Sequence, residues 1–179
     1  MSSSNVPPFA ELLAAVRHSA VHLEMRDGYA VDSERDSFAA WRAGHRLDPA
    51  DRGSWWRPWH DLVRETVQRG VVVRRARIVS EPVTEYIRYE HHGTFTNIAA
   101  GEQVRWLARR RASELALPGN DFWLFDDRLV HWNHFTGDGA SAGGELSEDP
   151  AAVGLCATAF EAVWERAVPH ASYEVAARK

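Results

Sequence analysis

PWHDLVRETVQRGVVVRRARIVSEPVTEYIRYEHHGTFTNIAAGEQVRWL, residues 58–107, reads as helix, strand, helix, strand. Pro58 suits a first helical turn, and Trp59, Leu62, Val63, Thr66 and Val67 follow with the i, i+3, i+4, i+7, i+8 spacing of one helical face before Gly70 stops it. The β-branched run 71–79 is a strand. Ser80-Glu81-Pro82 turns the chain into a second helix with Val83, Tyr86, Ile87 and Glu90 on one face, ended by His91-His92-Gly93, and 104–107 is a short strand. Two strands joined through a helix form a right-handed parallel crossover unit.

The pattern extends outward on both sides. Pro7 and Pro8 open a helix with Phe9, Leu12, Leu13 and Val16 on its apolar face. Val21, Leu23 and Met25 alternate with His22, Glu24 and Arg26, the pattern of a half-buried strand. Ser33 and Asp36 fit a capping box before a helix carrying Phe38 and Trp41, and 45–57 is a polar loop. A short helix covers 109–115. Strands at 122–125 and 129–135 flank Asp126-Asp127-Arg128 as a hairpin, 142–146 returns as a third strand, and Asp149-Pro150 begins a last helix. The expected fold is α/β of the mixed kind, one mixed sheet flanked by helices, with residues 1–6 a disordered tail and 7–175 a single domain.

Composition excludes several chemistries. The 179 residues are 45% apolar and 26% charged, an ordinary globular balance. Net charge is −4, against a self-sufficient nucleic-acid binder. Cys156 is the only cysteine, which removes disulfides and cysteine zinc cages. Lys179 is the only lysine among 21 basic residues, which removes an internal Schiff-base, Walker or kinase lysine. There is no cationic-then-apolar leader and no run long enough to span a bilayer, so the expected compartment is the cytoplasm, without membrane association. Neither a G-x-S-x-G elbow nor a G-x-G-x-x-G or P-loop motif occurs.

Candidate binding residues cluster at predicted element ends: Tyr29, Trp56, Arg57, Arg77, Glu81, Tyr86 and Asp126. Alternation places Arg75 and Arg77 on one face of the 71–79 strand and Arg74 on the other. Arg77 near a helix start is read as a clamp for a carboxylate or phosphate, and the competing reading is ion pairing with Glu81, Glu85 or Glu90. Trp55 and Trp56 lie outside every apolar stripe and suit an aromatic pocket wall. His91-His92 point apart, and His131 and His134 fall on opposite strand faces, so neither pair is a metal chelate and no metal or cofactor is expected. His131-x-Asn133-x₄-Asp138 resembles the phospholipase-D-type H-x-K-x₄-D signature in degenerate form, with Asn133 in place of the lysine and Glu145 and Leu146 where glycine and serine normally follow.

The stretches LEMRDGYAVDSE (23–34), RPWHDLV (57–63), RRARIVSEPVTEYIRYE (74–90), NIAAGEQVRWL (97–107) and DFWLFDDRLV (121–130) resemble an uncharacterised actinobacterial domain family across roughly residues 9–173. That resemblance implies a phospholipase-D-like half and a regulatory setting, since such members are often encoded beside helix-turn-helix regulators. The expected function is a non-catalytic module binding a small anionic ligand or a protein partner such as a helix-turn-helix regulator. The alternative is an enzyme acting on a small anionic substrate, in a natural-product or nucleotide pathway, with Asp126, Asp127, Glu81 or a histidine as acid or base.

Overall fold

A computed structural model describes residues 6–175. The elements run α1 (Phe9–Ala15), β1 (Ser19–Glu24), α2 (Arg35–Arg42), α3 (Arg52–Trp55), α4 (Pro58–Gln68), β2 (Val72–Val79), α5 (Glu85–Ala100), β3 (Gln103–Ala108), β4 (Asp121–Phe125), β5 (Leu129–Phe135), β6 (Ser141–Ser147), α6 (Pro150–Arg166) and β7 (Val168–Pro169). One seven-stranded mixed sheet has the order β6-β5-β4-β1-β2-β3-β7. The trio β1, β2 and β3 is parallel, and every other pairing is antiparallel. The fold is therefore the expected mixed α/β sheet with helices on both faces.

Helix α6 covers one face. Its Cys156, Phe160 and Val163 meet Val21, Leu23, Ala76, Ile78, Phe122 and Leu124. The other face is covered by α1, α4 and α5: Leu13 and Val63 pack on Ala20, Val73 and Trp123, and Ile87 packs on Val79 and Trp106. Burying a side chain of the size of Phe160 contributes roughly 1.5–3 kcal/mol. Because α4 and α5 lie on the same face of consecutive parallel strands, the two crossovers share one hand.

Five sequence expectations change. β1 is buried on both faces, being a central strand, so His22 and Glu24 point into the molecule. Helix α5 runs through His91-His92-Gly93 to Ala100, with Gly101 as its left-handed cap at φ 106°. The 45–57 loop contains α3, and 109–115 shortens to a 3₁₀ turn, Arg109–Ala112. Ser33 does not cap α2, whose N-cap is Glu34 after a 3₁₀ turn, Asp32–Glu34. Of the expected tail, residues 1–5 lie outside the described residues, and Val6 packs against the α1 cluster.

Candidate functional site

Strand pairing puts two rows of polar side chains next to each other beneath α5. One row holds Val104, Arg75, His22, Trp123 and His131. The next holds Trp106, Arg77 and Glu24, continued beyond β1 by Asp121 and Asn133. Central strands bury whatever they carry, so these charges must satisfy one another. Arg75 Nε donates to Glu102 and Arg75 Nη1 to Glu24, both at 2.8 Å. Arg77 Nε lies 2.8 Å from the other Glu24 oxygen, and Arg77 Nη1 donates to Glu90 of α5. Arg77 is only 6% exposed and Arg75 8%. Burial works against ionising Glu24, but Arg77 and Arg75 overcome it and hold its carboxyl at about 2. Burial likewise opposes the Arg77 charge, and Glu24 and Glu90 more than restore it. His22 stacks on Trp123 at 4.3 Å between ring centroids, and burial holds it neutral.

Above this floor stands a cavity of about 990 Å³. Helix α5 contributes Tyr86, Tyr89 and Glu90. The segment through α2 contributes Glu34, Ser37 and Trp41, the loop after β1 contributes Tyr29, and the α3–α4 segment contributes Arg57, Trp59 and His60. The aromatic wall is continuous. Tyr29 and Tyr86 lie 6.0 Å apart, Tyr86 and Tyr89 6.0 Å, and Tyr29 and Phe135 5.0 Å, between centroids. Two lining carboxyls are held by phenols rather than by cations. The Tyr86 hydroxyl donates to Glu34 Oε2 at 2.7 Å, and the Tyr29 hydroxyl donates to Asp121, whose other oxygen accepts from Met25 N–H at 2.9 Å. Burial and then the nearby Glu90 charge push the Glu34 carboxyl up to about 7. Burial, only partly offset by the Tyr29 hydrogen bond, pushes Asp121 up to about 6.

Four predicted residues meet here: Tyr29, Arg57, Arg77 and Tyr86 all line the cavity. Arg77 is not a free clamp, because the ion-pairing alternative holds, through Glu90 as foreseen and through the unforeseen Glu24. Arg57 stands at the exposed mouth, donating to the carbonyls of Trp56 and Ser54 at 3.0 and 2.9 Å. Trp56 faces away from the cavity. Its indole N–H donates to Asp61 and its ring carries the Arg52 guanidinium at 3.6 Å. Its neighbour Trp55 is the buried one and does line the cavity. Glu81 lies in a separate hollow of about 310 Å³ with Arg110, accepting from the Tyr173 hydroxyl at 2.9 Å. The rim beyond β2, where an external anion was expected, is taken by the chain's own Asp27. Its carboxylate accepts from Ser80 N–H and Ser80 Oγ at 2.6 Å each. Asp126 is a turn anchor at the opposite end of the sheet, accepting the backbone N–H groups of Arg17, His18 and Ser19 at 2.9, 2.7 and 2.9 Å.

The H-x-N-x₄-D spacing does not assemble. Asn133 reaches His22 at 3.3 Å, whereas Asp138 sits on an exposed turn bonded to Thr136. The sequence reading missed His22, Glu24, Glu34 and Asp121 as site residues. One signal was available: His22-x-Glu24 and Arg75-x-Arg77 carry complementary groups at the same two-residue spacing on strands of one sheet.

A family model described as "Domain of unknown function (DUF6879)" matches residues 7–175, and the chain belongs to that family. No curated protein matches it. Among solved structures it is similar to the archaeal chromatin protein TrmBL2, described as showing a novel mode of DNA binding. Identity is 13% and the TM-score 0.47, over 89% of this chain and 48% of that one, so the chain spans about half the length of that protein. It is also similar to Nuc, a phospholipase D family member from Salmonella typhimurium, at 9% identity and TM-score 0.48, over 89% of this chain and 86% of that one. Among the described residues no helix is long and apolar enough to cross a membrane.

Proposed function

We propose that this protein is a non-catalytic module that holds a small ligand in the cavity between the sheet and α2, α4 and α5, within an actinobacterial transcription-regulatory system. The observation that carries the reading is the cavity itself. At about 990 Å³ it has the size of a small-molecule site, with an aromatic wall over a floor whose charges are already paired. Arg75 and Arg77 are each bonded to two of the carboxylates Glu24, Glu90 and Glu102, which makes a cross-linked polar surface for recognition. The regulatory setting rests on the family resemblance, and the net charge of −4 supports action through a partner rather than on nucleic acid directly.

The test uses Trp41 and Trp59, which line the cavity, as reporters. The protein is incubated with a small-molecule extract of actinobacterial cells, separated from unbound material and examined by native mass spectrometry. One small molecule is expected to be retained, released chemically unchanged, and able to alter tryptophan fluorescence when added back. Release of a modified molecule would remove the non-catalytic reading.

That outcome would favour an enzyme, for which one observation speaks: Glu34 at about 7 and Asp121 at about 6 are carboxyls tuned toward neutral pH inside a cleft, as acid–base catalysis requires. The acid–base role then moves from Asp126, Asp127 and Glu81 to these two groups.

A further inference from the structure

The lining of the cavity is unbalanced in charge. Its carboxyls are Glu24, Glu34, Asp36, Glu90 and Asp121, against the three guanidiniums of Arg57, Arg75 and Arg77. Buried Glu102 beneath the floor takes a further share of Arg75. Of the four lining imidazoles, His22, His45, His60 and His92, burial lowers His22, His60 and His92, so those three add no compensating charge near neutrality. After the floor pairs off, Glu34 is left with a phenol hydroxyl and Asp121 with a phenol hydroxyl and the Met25 N–H, neither with a cation among the described residues, and the two phenols, Tyr86 and Tyr29, are neighbours on one wall. A cation placed there would find two carboxyls and the faces of electron-rich rings. An anion would meet an acidic lining in which Arg75 and Arg77 are already bonded.

We propose that the cavity receives an organic cation bearing an ammonium or guanidinium group, seated between Glu34 and Asp121 against Tyr29 and Tyr86. This rests on the small-ligand reading above and names the chemistry of its ligand. It also reverses the sign of the ligand expected from the sequence, because Arg77 is matched inside the protein. Within the cavity Glu34 faces Glu90, Tyr86 and Arg77 from α5 and β2 and Glu24 from β1, and Asp121 faces Glu24, Tyr29 and Arg26. Near pH 6.5 Glu34 therefore retains most of its proton and Asp121 only a minor share, and an arriving cation displaces them, so binding releases protons and strengthens as pH rises.

The experiment is titration calorimetry of the full chain with three probes: agmatine, inorganic phosphate and glucose. Agmatine is expected to bind, to release protons at about pH 6.5 when two buffers of different ionisation enthalpy are compared, and to bind at least tenfold more weakly to Glu34→Gln and to Asp121→Asn. Both variants are checked for native circular dichroism. If Asp121→Asn fails to fold, Glu34→Gln and the proton release on the unmodified chain decide. Agmatine binding unaffected by Glu34→Gln and without proton release overturns the proposal. Binding of phosphate or glucose with agmatine silent also overturns it, while leaving the small-ligand module intact. If no probe binds and the cell extract also yields nothing, both readings fall.

Discussion

Arg77 shows how a single residue changes meaning between sequence and structure. As a guanidinium on a strand it fits an anion clamp equally well as a structural pair, and only the burial of β1 decides between them. With Glu24 and Glu90 bonded to it and 6% of its surface exposed, Arg77→Ala would leave the half-buried Glu90 and one oxygen of Glu24 without their cation, the other Glu24 oxygen staying on Arg75. The expected loss is about 3–5 kcal/mol in urea unfolding, with partial recovery in the double variant Arg77→Met, Glu24→Gln. A loss below about 1 kcal/mol would show that the network relaxes or hydrates. Asp126 makes the converse case. Its carboxylate collects three backbone N–H groups at the start of β1, and although burial opposes ionisation, these donors hold its pKa below the ordinary aspartate range. Asp126→Ala is expected to cost about 1–2 kcal/mol of stability while leaving any cavity ligand bound as before, since the site lies at the other end of the sheet. A ligand affinity that changed with Asp126 would contradict that separation.

At the scale of elements, the sequence was legible wherever local pattern and tertiary burial agree. The stripe of α4, the β-branched β2, the β4–β5 hairpin and the Asp149 cap, which accepts Ala151 N–H at 3.2 Å, are all where periodicity and turn chemistry place them. The departures occur where long-range contacts override a local signal. His91-His92-Gly93 resembles a helix stop, yet the His91 ring packs 5.3 Å from Trp106, and Thr94 and Ala100 beyond it are buried, which holds α5 helical through the glycine. The two-residue strand β7 has no periodicity to read and is defined by its antiparallel pairing with Arg105 and Trp106 of β3. The aromatic wall was half visible: Tyr29 and Tyr86 stood out as loop-end aromatics, whereas Glu34 and Asp121 gain their role only when α2 and β4 are brought together. Two glycines give opposing tests of this account. An added methyl at Gly93 meets nothing within 4 Å in the interior of α5, so Gly93→Ala is expected to stabilise by about 0.5–1 kcal/mol. At Gly144 the same methyl would stand 2.8 Å from the Trp132 carbonyl oxygen and closer still to the His131 ring, so Gly144→Ala is expected to destabilise by about 1–3 kcal/mol and to speed amide exchange in β5 and β6. Melting temperatures moving in the same direction would refute one of the two placements.

For the whole molecule, the cavity carboxyls link stability to pH with a sign that can be worked out. Folded Glu34 keeps its proton up to about pH 7, whereas the unfolded chain loses it near 4.5, so the unfolded state binds fewer protons across that window and stability falls as pH rises through it. Asp121 acts in the same direction between 3.8 and about 6. Other groups oppose them. His22, held neutral by burial, contributes stability that is lost as pH falls below 6.5, and Glu24, held at about 2, contributes stability that is present above 4.5 and lost in acid. The total profile mixes these signs, so the informative quantity is a difference. Glu34→Gln lacks only the first contribution, and its stability relative to the unmodified chain is expected to rise from about pH 5 to pH 7 and then level off, as read by urea unfolding at each pH. Saturating agmatine should remove that rise, because a bound cation lets the folded protein give up the same proton that the unfolded chain has already lost. A gap that stays constant with pH would mean that Glu34 is ionised in the folded chain, and the acidic lining would then need a different source of charge balance.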